Sequence, residues 1–306
     1  MTILVTGGAG FIGRWVVQKL LNQYDVIALD NLSNGQEKNI APFIGKPNFQ
    51  FIKADVLDKE TLNKAFEDVD MCIHLAAQIN VQESLDHPER AFENNVVGTC
   101  NVLEACRRTD AKLVLAGTCM VYDLALSRPI NEKDSIKPRS PYAGSKAAAE
   151  EMTLSYYYGY NLPVTIVRPF NTYGPYQKSN MEGGVVNIFI KKYLDGEDIL
   201  VFGDGEQTRD LLYVEDCADF IIKAAFCKDA VGEVINGGTG SDIRIKDLAL
   251  LICNDPSRIK YIPHHHPQSE IRKLVCDYSK AERLLSWKPE TSLKDGIKRT
   301  IDWMRS

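Results

Sequence analysis

The sequence predicts an α/β fold, a doubly wound parallel sheet with a smaller α/β region after it. Three observations carry that expectation. Short apolar runs alternate with stretches of helical period through the first half of the chain. A glycine-rich turn joins the first run to the first helix, and an acidic residue closes the second run. Strand–helix–strand alternation implies parallel strands, right-handed crossovers and helices on both faces. Ligands on such sheets bind beyond the carboxyl ends of the strands.

The first strand is the run 3–5. Thr6-Gly7-Gly8-Ala9-Gly10-Phe11-Ile12-Gly13 follows it and opens a helix over 11–21. Strand, turn and helix together present free backbone N–H groups to a pyrophosphate at the positive end of the helix dipole. Gly7 permits the tight turn, Gly10 the approach of a phosphate, and Gly13 the close packing of helix on sheet. The spacing is Gly-x-x-Gly-x-x-Gly rather than the commoner Gly-x-Gly-x-x-Gly, and its placement marks a dinucleotide site with Gly7, Gly10, Phe11, Ile12 and Gly13 as candidates.

The second strand, 26–29, delivers Asp30 and Asn31. An acid there accepts both adenosine ribose hydroxyls and repels a 2′-phosphate, which favours NAD over NADP. The third strand, 49–52, leads to Asp55 and Val56, placed to reach the adenine, and then to a helix over 59–66. The fourth, 71–75, ends in His74-Leu75-Ala76-Ala77-Gln78, whose small residues let a cofactor lie close to the sheet edge. His74 reads as a satisfied core histidine. A helix over 91–107 carries Asn95. The fifth strand, 113–116, runs into Gly117-Thr118-Cys119-Met120-Val121-Tyr122, a helix spans 142–158, and the sixth strand is 164–167. After Pro169 the alternation stops, and Gly, Pro, Asn and Tyr cluster. Residues 1–168 are thus expected to bind the dinucleotide and 169–306 mainly the substrate, with 213–226 returning to the first unit as a helix.

The bulk numbers agree. The 306 residues are 44% hydrophobic and 25% charged, an ordinary globular composition. A net charge of -5 leaves no electrostatic footprint for nucleic acid or an anionic membrane. Eight cysteines lie scattered without a Cys-x-x-Cys pair, so they read as reduced core residues and not as a metal or disulfide frame. His264-His265-His266 reads as a surface loop, because three consecutive residues do not share one face, and no metal is expected. With a strand starting at residue 2 and no long apolar run, the expected location is the cytoplasm.

Tyr142 and Lys146 bear the chemistry. Four residues apart just after Pro141, they share one face of a helix near its start. A phenol is a poor base at neutral pH, so a cation one turn away, with the positive ring of a nicotinamide, is expected to lower its pKa. Thr118, at a strand end, is placed to hold a substrate hydroxyl and share its proton with Tyr142.

With these motifs in order, the chain resembles the extended short-chain dehydrogenase/reductase superfamily, and within it the nucleotide-sugar epimerases and dehydratases. The resemblance runs through Thr6–Gly13, Asp30-Asn31, Asp55-Val56, His74–Gln78, Asn95-Val96-Val97-Gly98-Thr99, Tyr142/Lys146, Arg168–Pro175, Gly203–Asp210 and Asp277–Ala281. It implies a Rossmann-type NAD domain and a nucleotide diphosphate sugar as substrate. Asn171, Arg209 and Arg272 are implied as diphosphate contacts, a role that suits guanidinium forks. It also implies a homodimer seam on the helices 91–107 and 142–158, whose apolar content fits a core face equally.

All members of this branch begin alike: Tyr142 would take a proton from a sugar hydroxyl, usually at C4, as hydride leaves that carbon. A C4-epimerase then turns the keto ring over; a 4,6-dehydratase removes water across C5 and C6, which needs a further acid and base. Dehydratases of the branch usually carry Thr-Asp-Glu where this chain has Thr118-Cys119-Met120. Methionine takes no proton, so the departure favours an epimerase. Cys119 reads either as a structural thiol or as a general acid, and Glu150, Glu151 or Glu182 as a displaced base. A dehydratase, a plain C4 dehydrogenase and a dinucleotide-responsive binding module are the alternatives.

Overall fold

The computed structural model describes residues 1–123, 128–180, 183–263 and 272–306. Its strands are β1 (Thr2–Thr6), β2 (Asp25–Asp30), β3 (Phe49–Lys53), β4 (Met71–His74), β5 (Lys112–Ala116), β6 (Val164–Pro169), β7 (Asn171–Tyr173), β8 (Ile199–Phe202), β9 (Thr208–Tyr213), β10 (Val234–Gly237), β11 (Asp242–Arg244) and β12 (Ile259–Ile262). Seven of them form one sheet in the order β10-β6-β5-β4-β1-β2-β3, with every neighbour parallel. Thr6, at the end of β1, lies beside Leu29 of β2 and His74 of β4. The strand order reverses at β1, where connections leaving toward opposite faces open a crevice.

The alternation along β1 shows why the run is apolar throughout. Ile3 and Val5 enter one core with Val16, Val17 and Leu20 of the helix Phe11–Leu20 and Phe220 and Ile221 of the helix Val214–Phe226. Leu4 enters the other, with Leu62, Phe66, Val102 and Leu103. A strand buried on both faces has no polar side to show. Each such side chain contributes about 1.5–3 kcal/mol of transfer free energy.

Local signals end the elements where the chemistry needs them. Asp58 caps the helix Lys59–Ala65 by accepting from the Glu60 and Thr61 N–H groups. Ser140 caps the helix Pro141–Tyr160 through Ala143 N–H at 3.2 Å, and Pro141 takes its first position. The helix expected over 91–107 is interrupted. Pro88–Phe92 and Gly98–Thr109 are α-helical, and a π-helical turn at Glu93–Val97 joins them.

Beyond Pro169, β11-β9-β7 form one small sheet and β12-β8 another. They share a core with Phe189, Ile190, Leu248 and Ile252. This later stretch also contributes to the first unit. Besides the helix Val214–Phe226, it supplies β10 at the edge of the main sheet and Trp287 to the first core. Asp210, fully buried, accepts from Thr239 N–H and hydroxyl, Gly240 N–H and Cys276 N–H at 2.7–3.0 Å. One carboxylate thereby knots three chain segments together.

All eight cysteines are free thiols. Among the described residues, no group of three or more His, Cys, Asp or Glu could hold a metal, and no helix is long and apolar enough to cross a membrane. His264-His265-His266 and Glu182 lie outside the described residues.

Candidate active site

The crevice at the ends of β1 and β4 is lined by the glycine turn. Gly7 has φ +68°, and a Cβ there would lie 2.8 Å from the Ala76 nitrogen. A Cβ on Gly13 would fall 2.0 Å from the Gly7 carbonyl oxygen. Only glycine lets the helix Phe11–Leu20 start this close to the turn, leaving its first N–H groups toward the crevice. Leu75, Ala76, Ala77 and Gln78 continue from β4 as a half-buried edge.

Asp30 ends β2 almost fully buried. One carboxylate oxygen accepts from Ala9 N–H at 3.0 Å, the other from Leu32 N–H at 2.8 Å. Burial raises its pKa, and the two N–H donors oppose that rise. A carboxylate has about four lone-pair sites, so a ribose diol still finds acceptors here. Asn31 donates to Asp55 at 2.7 Å, joining the ends of β2 and β3, and Val56 packs beneath Gly98. His74 lies 2.6 Å from the Thr6 hydroxyl and 3.1 Å from that of Thr99. Burial drives its pKa down to about 3, so it is the neutral core histidine expected.

Asn95 is tied to protein partners at the cofactor edge. The π-helical turn brings its carbonyl oxygen to Gln78 N–H at 2.8 Å. Its amide donates to the Gln78 carbonyl at 3.0 Å and the Ser145 hydroxyl at 2.8 Å. Ser145 in turn donates to the Tyr142 carbonyl at 2.8 Å. Both amide hydrogens are thus committed to protein partners, and Asn95 ties the β4 edge to the helix bearing Tyr142. Ser84 is a second tie, its hydroxyl accepting from Tyr142 N–H at 3.1 Å.

Thr118, Tyr142 and Lys146 converge at the end of β5. The Tyr142 phenol lies beside the Thr118 side chain, which acts to lower its pKa. Burial pushes the phenol's pKa up to about 12, against the lowering pull of the Thr118 side chain. Lys146 does not offset that burial in the cofactor-free chain. Its own pKa falls to about 8, chiefly through desolvation, with the Glu150 carboxylate opposing. Lys146 is 4% exposed, and among the described residues its ammonium makes no hydrogen bond. A desolvated cation without a hydrogen-bond acceptor beside a buried phenol fits a ligand that brings hydroxyls and positive charge, as an NAD nicotinamide riboside does.

Cys119 packs with Val121, Tyr122, Phe170 and Cys276, and burial pushes its thiol up to about 12. The thiol is buried among apolar side chains and stays protonated at neutral pH. Met120 packs against the same cluster. Glu150 is buried in an ion pair with Arg168 at 2.6 Å, and Glu151 is exposed on the same helix.

The diphosphate candidates separate. Asn171 opens β7 with its carbonyl oxygen buried and, among the described residues, unpartnered. Arg209 donates to the Thr208 carbonyl at 2.7 Å and acts electrostatically on Cys119, which places it by the Thr118 end of the site. Arg272 stands apart. Its side chain is 79% exposed and 3.6 Å from Asp204, and its carbonyl accepts from Thr208 N–H at 2.8 Å.

Comparison with known proteins gives a consistent result. Residues 4–300 match the family model described as GDP-mannose 4,6 dehydratase. The UDP-glucose 4-epimerase of Mycolicibacterium smegmatis is 34% identical over 100% of this chain and 99% of its own. Among solved structures, Pal from Bacillus thuringiensis is 54% identical with a TM-score of 0.98, covering 100% of this chain and 99% of that one. The Thermotoga maritima UDP-glucose 4-epimerase, solved with UDP-glucose, is 35% identical with a TM-score of 0.93 over 100% and 99%. Epimerase and dehydratase structures of the same fold also include NAD complexes.

Proposed function

The chain belongs to the GDP-mannose 4,6-dehydratase family of extended short-chain dehydrogenase/reductases, and from that premise we propose that it is an NAD-dependent nucleotide-sugar 4-epimerase. One observation carries the choice within the family. Thr118, Tyr142 and Lys146 meet at the end of β5, while the two positions after Thr118 hold a core thiol and a methionine. Elimination of water needs a second acid and base, and these side chains supply neither.

The residues that would hold NAD are Gly7, Gly10, Phe11, Ile12 and Gly13 at the pyrophosphate, Asp30 and Asn31 at the adenosine ribose, and Asp55 and Val56 at the adenine. Leu75 to Gln78 would lie along the cofactor, with Tyr142 and Lys146 at the nicotinamide ribose. When bound, NAD supplies the acceptor and donor of hydride. Tyr142 takes the proton of the C4 hydroxyl at its phenolic oxygen, and Thr118 holds that hydroxyl in line. Lys146 keeps a positive charge one turn away and so lowers the phenol from its buried value. After the keto ring has turned its other face, Tyr142 returns the proton to the same oxygen, so no third proton-handling group is required. Asn171 and Arg209 hold the diphosphate, and the exposed Arg272 would have to swing in to join them.

Uridine diphosphate sugars are the first substrates to test, since the relatives named above act on them. A homodimer in the cytoplasm completes the reading. Exposed Phe92, Val97, Tyr158 and Tyr160 on or beside the helices Gly98–Thr109 and Pro141–Tyr160 support the dimer. The experiment is incubation with NAD and UDP-glucose, UDP-glucuronate and UDP-N-acetylglucosamine, followed by anion-exchange separation and mass spectrometry. A new peak of unchanged mass supports the epimerase. A product lighter by one water means a dehydratase, and net accumulation of reduced nicotinamide means a dehydrogenase. Tyr142→Phe should abolish turnover and leave NAD binding intact; substantial activity in that variant would remove Tyr142 from the mechanism.

A further inference from the structure

A buried ion pair lies behind the proton-handling set. Glu150 follows Tyr142 by eight residues and Lys146 by four on the helix Pro141–Tyr160, and so shares their face. It is 1% exposed, and its carboxylate accepts from the Arg168 guanidinium at 2.6, 3.0 and 3.2 Å. Burial raises this carboxyl while Arg168, Lys146 and the Thr118 backbone N–H hold it down. Three bonds from a guanidinium fork are the geometry of an ionised pair. Gly117 makes the room, since a Cβ there would lie 2.1 Å from Glu150 Oε1. Arg168 is itself anchored, donating to the Tyr122 hydroxyl at 2.8 Å, which donates to Asn236 at 2.7 Å.

A buried pair is weak evidence of stability, because apolar replacements of similar volume are often as stable. Its place beside Lys146 and behind Thr118 points elsewhere. We propose that Glu150 is a positioning residue of the catalytic site: held by Arg168, its carboxylate fixes the Gly117–Thr118 strand end against the helix that carries Tyr142 and Lys146. The inference rests on the reading of Tyr142 and Lys146 as the proton-handling pair. The groups facing the carboxylate are Lys146 and Tyr142 from its own helix, Arg168 from β6 and Thr118 beyond β5. His74 of β4 faces Lys146 and is neutral.

The test follows from the sign of the charge. The Glu150 carboxylate raises the pKa of both Lys146 and Tyr142. In Glu150→Gln both groups lose their protons at lower pH, so both limbs of the kcat profile move acidward, by about 1 pH unit. The KM for the sugar changes little. Glu150→Gln strands a buried guanidinium, so Glu150→Gln with Arg168→Gln is made beside it; with both charges gone it should fold and show a displacement in the same direction but smaller. Glu150→Asp keeps the charge but shortens the reach to Thr118; its kcat falls with both limbs in place. Limbs unmoved in a folded Gln variant, limbs displaced in Glu150→Asp, or failure of both Gln variants to fold would each overturn the proposal. Tyr142→Phe, measured in parallel, separates the two levels. Retained turnover there refutes the proton-handling reading itself, whereas an inactive Tyr142→Phe with unmoved Gln-variant limbs refutes only the role of Glu150.

Discussion

Replacing Lys146 with methionine should stabilise the cofactor-free protein while abolishing turnover. The amine is almost fully buried, and its pKa falls from the ordinary 10.5 to about 8. At about 1.4 kcal/mol per pH unit, the protonated amine costs the folded state about 3 kcal/mol at pH 7. A lysine whose folded pKa lies below its unfolded value destabilises fully below the folded pKa. The cost shrinks between about 8 and 10.5 and vanishes above that range, where both states hold a neutral amine. Methionine fills similar space without the charge. The variant should therefore gain about 3 kcal/mol at pH 7, or roughly 5–10 °C in Tm, and the gain should fade toward pH 10.5. Differential scanning calorimetry of cofactor-stripped wild type and variant, from pH 6.5 to 10.5, reads this directly. A variant no more stable than wild type at pH 7, or one whose gain is undiminished at pH 10.5, refutes the desolvated-cation argument.

Other substitutions test the remaining parts of the site. Asp30→Ala should weaken NAD and relax the exclusion of NADP, measured by titrating each dinucleotide against protein fluorescence; a wild type that already prefers NADP contradicts the ribose role. Gly13→Ala forces a Cβ to within 2.0 Å of the Gly7 carbonyl, so it should cost about 1–3 kcal/mol of stability and at least a tenfold loss in NAD affinity by the same titration. Unchanged affinity would mean that the turn does not cradle the phosphates. Arg209→Ala should raise the KM for the sugar by about ten- to a hundredfold, the loss of a charge-assisted contact of about 1.5–3 kcal/mol, with kcat little altered. A fall in kcat at unchanged KM would place Arg209 in the chemistry instead.

What was legible in the sequence was local. The glycine turn and the Tyr142/Lys146 pair depend on spacings within one turn or one helix, and those spacings survive folding unchanged. What was not legible depends on contacts between distant segments. The Glu150–Arg168 pair joins a helix to β6, and its only sequence trace is the i, i+4 step from Lys146 to Glu150. The π-helical turn at Glu93–Val97 contains no glycine or proline to announce it, and Asn95 within it bonds Gln78 and Ser145 from distant segments. β10 was missed because its edge position is fixed by pairing with β6 and not by its own pattern. The Tyr142 phenol shows the same limit. Spacing placed a cation beside it, but burial is the larger effect and raises its pKa.

Deuterium at C4 of the sugar follows the hydride itself and so tests the central claim most directly. With a nucleotide sugar labelled there, an epimerase returns the label to C4 of a product of unchanged mass and opposite configuration. Label retained at C4 in both epimers is the expected result. Label at C6 of a product lighter by one water would contradict it and require a second acid and base that Cys119 and Met120 do not provide.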